Sequence, residues 1–194
     1  MDNEITGHLI LIMAPSGSGK GMLLKHLRDT LGEKIYFAVS CTTRDPRPDE
    51  VIGEVYQFVS QDEFEQKVAE GAFLEWAEFS GHRYGTLKDE ILTPLKKGRV
   101  VVREVELQGI LALREIIPAE HRTIIYIEAG SWEVLKRRIR KRAPISEEHL
   151  ELRHQRYQEE SKWKEFADVI IENNEGRLDE AKKEIEKLVE DRIK

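Results

Sequence analysis

Cysteine is almost absent from this sequence. Cys41 is the only one, so no disulfide can form within the chain, and a reducing cytosolic setting is expected. Long hydrophobic runs are also lacking, because the longest early run, Leu9–Met13, is far too short to span a membrane. A basic leader with a small-residue cleavage site is not found either. We therefore expect a soluble, cytoplasmic protein.

Positive charge is not in excess. The formal net charge of −6 argues against general binding to nucleic acid, although a local basic patch can still exist. Internal repeats and low-complexity segments are missing. Charged residues make up 35% and hydrophobic residues 40% of the 194 residues, a balance typical of a folded chain. A single domain of this length can bury a substantial core.

A phosphate-binding loop is indicated near the start of the chain. The apolar run Leu9–Met13 suits a strand buried on both faces. It leads into the stretch APSGSGKGM, after which Leu23, Leu27 and Leu31 recur every four residues, as on the buried face of a helix. Strand, glycine turn and helix form the context that a phosphate loop requires. An ordinary glycine turn remains the alternative.

Backbone and lysine supply the chemistry of this loop. Gly17 and Gly19 allow close approach of N–H groups to a phosphate, and Lys20 can reach the β- and γ-phosphates of a nucleotide. Against the pattern G-x-x-x-x-G-K-[ST], alanine and glycine replace the first glycine and the final hydroxyl residue. The predicted ATP-binding stretch is Ala14, Pro15, Ser16, Gly17, Ser18, Gly19, Lys20, Gly21 and Met22.

The hydroxyl that this loop lacks is the group that often ligates Mg²⁺ in phosphate-binding loops. Met22 cannot act as a hard oxygen ligand, and Ser16 and Ser18 are the hydroxyls that remain in the loop. Mg²⁺ keeps several water ligands and can be held mainly by phosphates and water. We therefore expect the ion to be retained, with no protein ligand assigned to it.

Strands and helices alternate along most of the remaining chain. This alternation favours a parallel α/β sheet with right-handed crossovers. The predicted strands are Ile35–Val39, Val100–Val102, Thr123–Ile127 and Val169–Ile171, and the predicted helices are Leu107–Ile117, Trp132–Lys141 and a last helix with Leu178, Ala181, Ile185, Leu188 and Ile193 near one face.

Two stretches interrupt that rhythm. Residues 40–87 contain short aromatic-rich pieces and predict a small mixed lobe, and residues 129–155 are strongly basic. We thus expect one domain, with a core formed by 1–39, 88–128 and 156–194. Glu104 and Glu106 follow the Val100–Val102 strand, and a spacing of two in an extended chain places both on one face at its carboxyl end. Open α/β sheets bind ligands at that edge.

Four motifs in one register carry a family resemblance. The loop, SCTTRDPR at 40–47, FLEWAEFSGHRYGT at 73–86 and ELQG at 106–109 together resemble the guanylate kinase family, from about residue 8 to residue 185. The resemblance implies a P-loop kinase fold. Its parts are a five-stranded parallel sheet flanked by helices, an inserted mixed α/β lobe at 40–87 that binds GMP, and a helical lid at 129–155.

The resemblance also assigns the GMP phosphate and the edge of the base pocket. Arg44 and Arg47 match arginines that grip the phosphate, and the planar fork of arginine suits phosphate oxygens. Tyr56 and Tyr84 match tyrosines whose hydroxyls hold that phosphate, and Ser40 matches a position lining the guanine pocket. Taken singly, the arginines could belong to a solvated loop and the tyrosines to the core.

Three carboxylates and one hydroxyl account for the remainder of the implied GMP site. Glu75 matches the glutamate that reads guanine, and a carboxylate can accept from N1–H and the 2-amino group together. Thr86 matches a hydroxyl that assists at the base. Glu104 and Glu106 occupy positions where the family usually has aspartates, and they follow an unusual Arg103. From the pattern alone, Glu75 could equally be a surface acid.

Arginines in the second stretch match the lid. The run KRRIRKR at 136–142 has six positive residues of seven, and by itself could be a solvated helix face or a nonspecific nucleic-acid patch. Arg138, Arg142 and Arg153 match arginines that close over the transferring phosphoryl group, a role that can be worth roughly 10³–10⁵ in rate. Asn173 matches a position near the adenine.

The implied activity is transfer of the γ-phosphoryl group of ATP to GMP, giving ADP and GDP, with Mg²⁺ and with dGMP accepted less well. Two other functions remain open. One is a catalytically impaired binding module, since domains of this kind also occur in scaffold proteins that bind phosphopeptides. The other is a related kinase of another small phosphorylated substrate. Neither nucleic acid nor a membrane is expected as a partner, and the sequence predicts no oligomeric state.

Overall fold

The computed structural model describes residues 4–46, 50–51, 53–79 and 81–193. Strands in this part of the chain are β1 His8–Met13, β2 Ile35–Phe37, β3 Ser40–Thr42, β4 Tyr56–Phe58, β5 Phe73–Phe79, β6 His82–Leu87, β7 Val100–Glu104, β8 Arg122–Glu128 and β9 Val169–Glu172. Helices are α1 Lys20–Leu31, α2 Gln61–Ala69, α3 Lys88–Lys96, α4 Leu107–Ile116, α5 Trp132–Arg142, α6 Glu147–Glu160 and α7 Leu178–Glu190.

The main sheet has five strands in the order β2-β7-β1-β8-β9. The pairs β2/β7 and β8/β9 are parallel, and helices separate strands that follow one another along the chain. This is the α/β architecture that the sequence predicted. Each strand of this sheet differs from its predicted range by only one or two residues at an end. For example, β2 ends at Phe37 rather than at Val39, and β7 continues to Glu104 rather than ending at Val102.

By its internal contacts the chain divides into two compact units. The first comprises the residues up to Ile10 together with Lys34–Arg122, and the second comprises Leu11–Glu33 and Thr123–Lys194. The boundaries expected from sequence, at 40–87 and 129–155, remain predictions.

A second, four-stranded sheet lies within the first unit, in the order β4-β3-β6-β5. β3 pairs with β4 in parallel and with β6 antiparallel, so the sheet is mixed, as the sequence predicted for residues 40–87. One face packs on α2, where Phe64 stacks on Phe73 with ring centroids 4.5 Å apart beside the buried Cys41. Position 85 requires glycine on this face, because a Cβ there would come within 2.7 Å of the Phe73 ring.

Helices α1 and α7 pack together in the second unit. Leu23, Leu27 and Leu31 are buried, as their four-residue spacing predicted. In α7 the buried stripe is Ala181, Ile185 and Val189. Leu178 and Leu188, which the sequence predicted near the same face, are half-buried next to this stripe. The expectation for Ile193 is wrong, because α7 ends at Glu190 and Ile193 lies beyond it.

The ends of the helices depart little from expectation. Predicted helices at 107–117 and 132–141 are observed as Leu107–Ile116 and Trp132–Arg142. α2 begins at a capping box, in which the Ser60 hydroxyl accepts from the Glu63 N–H and the Glu63 carboxylate accepts from the Ser60 N–H. Among the described helices, none combines the length and the apolar character needed to cross a membrane.

Candidate active site

A row of polar side chains crosses the four-stranded sheet of the first unit. Ser40 of β3 is in register with Tyr56 of β4 and with Thr86 of β6, and Thr86 is in register with Glu75 of β5. Residues directly opposite one another on paired strands share a face. The four side chains therefore lie side by side on the face of the sheet opposite α2, which is the arrangement a planar ligand needs.

Three of the side chains near this row form a connected cluster, which we call the base cluster: Glu75, Thr86 and Arg103. The Thr86 hydroxyl donates to Glu75 Oε1 and accepts from Arg103 Nη2. Arg103 Nη2 also lies 3.7 Å from Glu75 Oε1. Thr86 is fully buried and Arg103 is 5% exposed, so the contacts are shielded from water.

Arg103 is the member of this cluster to which the sequence gave no role. Its Nε and Nη1 atoms are buried and have no hydrogen-bond partner among the described residues. Burial lowers the pKa of the guanidinium, and the charge of Glu75 is the strongest influence opposing that shift. The unusual residue noticed before Glu104 is thus a buried cation beside the carboxylate expected to read the base.

Helix α4 adds a favourable dipole at the same carboxylate. α4 packs against β5, and a Cβ placed on Gly109, in the first turn of α4, would lie 3.7 Å from Glu75 Oε1. The N-terminal end of a helix carries partial positive charge and stabilises a nearby anion. The ELQG motif at 106–109 therefore supports Glu75 through backbone rather than through a side chain.

Arg44 lies in a second polar group of the first unit. Its guanidinium donates to both oxygens of Glu50, at 2.9 and 2.8 Å, and lies over the rings of Tyr56 and Phe58, 5.2 and 5.5 Å from their centroids. The hydrogen bond to Glu50 is the main cause of the raised pKa of Arg44, and a hydrogen bond with Tyr84 adds to it. Sequence reasoning missed Glu50, whose carboxylate occupies the fork that a phosphate would use.

Tyr56 and Tyr84 both border this group, with ring centroids 6.1 Å apart in an edge-to-face arrangement. Burial, together with the charge of Glu104, raises the pKa of Tyr56 to about 12. The hydroxyl therefore stays protonated at physiological pH and can donate to a phosphate oxygen. The structure thus brings Arg44 together with both predicted tyrosines, while Arg47 lies outside the described residues.

Glu104 and Glu106 lie at the carboxyl end of the buried strand β7, the place that the sequence predicted. Glu104 is the last residue of β7, and Glu106 directly precedes α4 in an extended conformation. Both are exposed while Val105 between them is buried, so the two carboxylates share a side of the chain. The charge of Glu104 reaches both Tyr56 and Arg103, because it contributes to the pKa shift of each.

The phosphate loop lies in the second unit, between β1 and α1. Gly17 and Gly19 both have a φ of 86°, a conformation that side chains other than glycine's rarely adopt. The Ser18 N–H donates to the Pro15 carbonyl at 3.1 Å, and the Met22 N–H donates to the Gly19 carbonyl at 3.0 Å, which starts α1. The loop therefore delivers its N–H groups through a backbone path that the glycines make possible.

Asn173 fastens this loop from the end of β9. Its side-chain amide donates to the Ser18 carbonyl at 2.7 Å, and its own N–H donates to the Glu128 carbonyl at 2.6 Å. A Cβ on Gly19 would lie only 2.4 Å from the Asn173 Nδ2. Glycine at position 19 is thus required both by its φ and by the close approach of Asn173, which is 2% exposed.

Two of the predicted lid arginines also contact this region. Arg153 Nη1 donates to the Ser16 hydroxyl at 2.5 Å, and Arg138 Nη2 donates to the Asn173 carbonyl at 3.0 Å. Arg142 is exposed at the last position of α5. The neighbouring Arg137 and Arg140 form exposed ion pairs with glutamates, as expected for a solvated helix face.

Few hard oxygen ligands for Mg²⁺ are available in the loop. The Ser16 hydroxyl accepts from Arg153, and the Ser18 hydroxyl accepts from the Lys20 N–H at 3.4 Å. Gly21 and Met22 supply no side-chain oxygen. Throughout the described part of the chain, His, Cys, Asp and Glu residues form no group of three or more that could hold a metal ion. A Mg²⁺ that arrives with a nucleotide fits this loop only if phosphates and water supply most of its ligands.

Comparison with known proteins gives one consistent result. The family model described as guanylate kinase matches residues 6–192. A guanylate kinase from Nostoc sp. is 42% identical over 174 residues, which cover 90% of this chain and 86% of that protein. One from Thermosynechococcus vestitus is 46% identical over 145 residues, or 74% of each chain. The solved structure of guanylate kinase from Anaplasma phagocytophilum is similar with a TM-score of 0.72 and 26% identity, covering 98% of this chain and 89% of that one.

Proposed function

Because this chain belongs to the guanylate kinase family, we propose that it transfers the γ-phosphoryl group of ATP to GMP, giving ADP and GDP. The observation that carries the proposal is the half-buried Glu75 carboxylate, held by Thr86 on a row of polar side chains. That row is built for a flat ligand with hydrogen-bond donors on one edge. We propose dGMP as a poorer second substrate.

The base is recognised through its donor edge. Guanine presents N1–H and the 2-amino group side by side, and the Glu75 carboxylate can accept from both. Adenine has no such pair of donors on that edge, so a site that holds a carboxylate there would leave it unpaired with AMP. Sites built to hydrogen-bond a substrate can reject analogues without the matching group by roughly 10⁴–10⁵. Ser40 and Thr86 complete the proposed pocket.

The GMP phosphate is assigned to the group around Arg44. Arg44 offers a planar pair of donors, and Tyr56 and Tyr84 add hydroxyl donors. The Glu50 carboxylate now accepts from the guanidinium of Arg44, so an incoming phosphate must either displace Glu50 or share the guanidinium with it. Arg47 is proposed to join this group on the strength of the family motif. Glu104 and Glu106 are proposed to border the same site.

ATP is assigned to the phosphate loop, residues 14–22. Backbone N–H groups and the positive end of α1 would bind the phosphates, and Lys20 at the start of that helix would neutralise the β- and γ-phosphates. Arg138, Arg142 and Arg153 would offset the charge that develops on the transferring group. We assign Asn173 to the adenine side of the site, where it also fastens the loop.

Transfer of this kind needs little covalent chemistry from the protein. The reaction requires that the acceptor oxygen of GMP and the γ-phosphorus of ATP be held in line and that water be excluded. Mg²⁺, when bound, supplies further charge neutralisation at the phosphates. The sequence-based expectations of one domain, a cytoplasmic location and no nucleic-acid partner accompany this proposal unchanged.

A nucleotide panel tests the proposal directly. ADP release is measured with ATP and Mg²⁺ in the presence of GMP, dGMP, AMP, CMP or UMP, each over a range of concentrations. We expect the largest kcat/KM with GMP, a smaller value with dGMP and a very low one with AMP. No GMP-dependent signal at any Mg²⁺ concentration would overturn the proposal. GMP binding without ATP binding would then identify a binding module, and preference for another acceptor would identify a related kinase.

A further inference from the structure

Building on the proposed function, we infer that Arg103 is a positioning residue for base recognition, acting on Glu75 through the Thr86 hydroxyl. Arg103 Nη2 donates to Thr86 Oγ1, and Thr86 in turn donates to Glu75 Oε1. A hydroxyl has a single proton. Since the guanidinium can only donate, the direction of the chain from Arg103 through Thr86 to Glu75 is fixed.

This direction changes what Thr86 can do for the base. Its proton is committed to Glu75, so the hydroxyl presents only its remaining lone pair. The family resemblance implies a hydroxyl that assists at the base, whereas here the hydroxyl serves the carboxylate. The cluster therefore offers acceptors to a ligand, and a base edge rich in N–H donors is the one it recognises.

The surroundings of Arg103 favour Glu75 as its counter-ion. Glu90 also acts on the charge of Arg103 but already accepts two hydrogen bonds, from the Tyr36 hydroxyl at 2.8 Å and the Val39 N–H at 2.9 Å. Glu104 also acts on the charge of Arg103, but it is exposed and its effect is smaller than that of Glu75. Glu75 contributes the largest opposing effect on the pKa of Arg103. The cation, 3.7 Å away, thus holds this half-buried carboxylate in place.

The cost of this arrangement indicates a role beyond folding. Two nitrogen atoms of Arg103, Nε and Nη1, are buried without a partner among the described residues, and such groups reduce stability. An apolar side chain at this position would continue the buried run of Val100, Val101 and Val102 without that cost. Orientation of Glu75 is the gain that the structure offers in return.

A comparison of GMP with IMP tests the inference. IMP keeps the N1–H and O6 of GMP but lacks the 2-amino group, so the preference for GMP measures how well Glu75 accepts from both donors at once. We expect Arg103→Met to lower kcat/KM for GMP by about tenfold to a hundredfold, the range of a hydrogen bond to a charged group. The GMP/IMP preference, meaning the ratio of kcat/KM for GMP to kcat/KM for IMP, should fall in the same variant, and KM for ATP should stay unchanged. Equal losses for GMP and IMP would overturn the inference.

A double-mutant cycle tests the route through Thr86. Thr86→Val removes the hydroxyl at nearly constant shape, and we expect it to reproduce the loss of GMP/IMP preference. In the Thr86→Val background, Arg103→Met should then change the preference by clearly less than it does in the wild-type protein, because the effects of contacting residues are not additive. Losses that multiply in the double variant would show that Arg103 does not act through Thr86, and would overturn the proposal.

Controls separate this outcome from misfolding and from failure of the proposed function. Arg99→Met removes another part-buried arginine next to β7, one that donates to the Ile35 carbonyl, and should leave the GMP/IMP preference unchanged. Should Arg103→Met not reach the wild-type circular dichroism spectrum, Arg103→Leu, which also lacks a donor and a charge, replaces it in the same cycle under the same criterion. Wild-type protein that does not phosphorylate GMP refutes the proposed function. Wild-type activity with an unchanged preference in the Arg103 variant refutes only this inference.

Discussion

The base cluster and the phosphate loop use opposite means to prepare a binding site. In the loop, residues 14–22, the geometry is carried by backbone: two glycines at positive φ and one carbonyl held by Asn173. In the base cluster the geometry is carried by side chains, and a buried cation and a carboxylate meet at one threonine hydroxyl.

This difference decides how each site tolerates change. Apart from substitution by proline, no replacement of a side chain removes a backbone N–H donor, so the loop can lose a glycine and a hydroxyl from the usual pattern and keep its path. A side-chain cluster has no such reserve, because removing one member leaves a buried partner unpaired. We therefore expect conservative changes to be severe in the base cluster, and in the loop only where a charge or a fastening contact is lost.

The largest effect is expected at the one charged side chain of the loop. Lys20→Ala should lower kcat by about 10²–10³-fold, the loss typical of one preorganised donor to developing charge, with little change in stability. Lys25→Ala, on an exposed part of the same helix, should keep the wild-type rate. ADP release with GMP measures both. An unchanged rate in Lys20→Ala would mean that the backbone alone carries the chemistry of the loop.

Glu75→Gln tests the claim that the base cluster tolerates little change. The amide presents an N–H₂ group to the donors of guanine and removes the counter-ion of Arg103, so kcat/KM for GMP should fall by about a hundredfold. KM for ATP should not change. Glu78→Gln, at an exposed position of the same strand, is the matched control. A loss below about threefold would contradict the assignment of Glu75 as the base reader.

The two sites also differ in how far the sequence predicts them. The apolar run, the glycine turn and the repeat of Leu23, Leu27 and Leu31 fix β1, the loop and α1, since each rests on local spacing. The contact of Asn173 with Ser18 joins residues 155 positions apart, and no local pattern predicts it. The family resemblance named Asn173 but not this fastening role.

The base cluster could be predicted only in part. The register between β5 and β6 shifts between Phe73 and Glu75, so counting along the strands does not show that Glu75 faces Thr86. Arg103 interrupts an apolar strand and could have been an exposed edge residue, because tertiary packing alone decides whether a charge is buried. Glu50, which holds Arg44, was missed because it belongs to no motif that local chemistry explains.

A smaller effect is expected at the contact that fastens the loop. Asn173→Ala leaves the Ser18 carbonyl without its side-chain donor in a buried setting, which should lower the free energy of unfolding by about 1–3 kcal/mol. KM for ATP should rise while KM for GMP stays constant. Chemical denaturation and steady-state kinetics measure the two effects. Asn174→Ala serves as the control, and equal losses in both variants would show that the contact with Ser18 is unimportant.

The smallest effect is expected where the loop lacks its hydroxyl. Apart from its chain neighbours and the nearby backbone of α1, no atom of the described residues lies within 4 Å of a Cβ built on Gly21, which lies in the first turn of α1. Gly21→Ser therefore fits without strain and should stabilise the helix by about 0.5 kcal/mol, because glycine is a poor helix former. If the serine hydroxyl ligates Mg²⁺ in a loop that otherwise offers backbone groups, the variant should also reach half-maximal rate at a Mg²⁺ concentration a few-fold lower.

Gly21→Ala gives the same relief of backbone freedom without the oxygen, so it should gain stability and keep the wild-type Mg²⁺ dependence. Identical Mg²⁺ titrations for the serine and alanine variants would mean that phosphates and water already satisfy the ion, and that the loop loses nothing by ending in Lys20-Gly21.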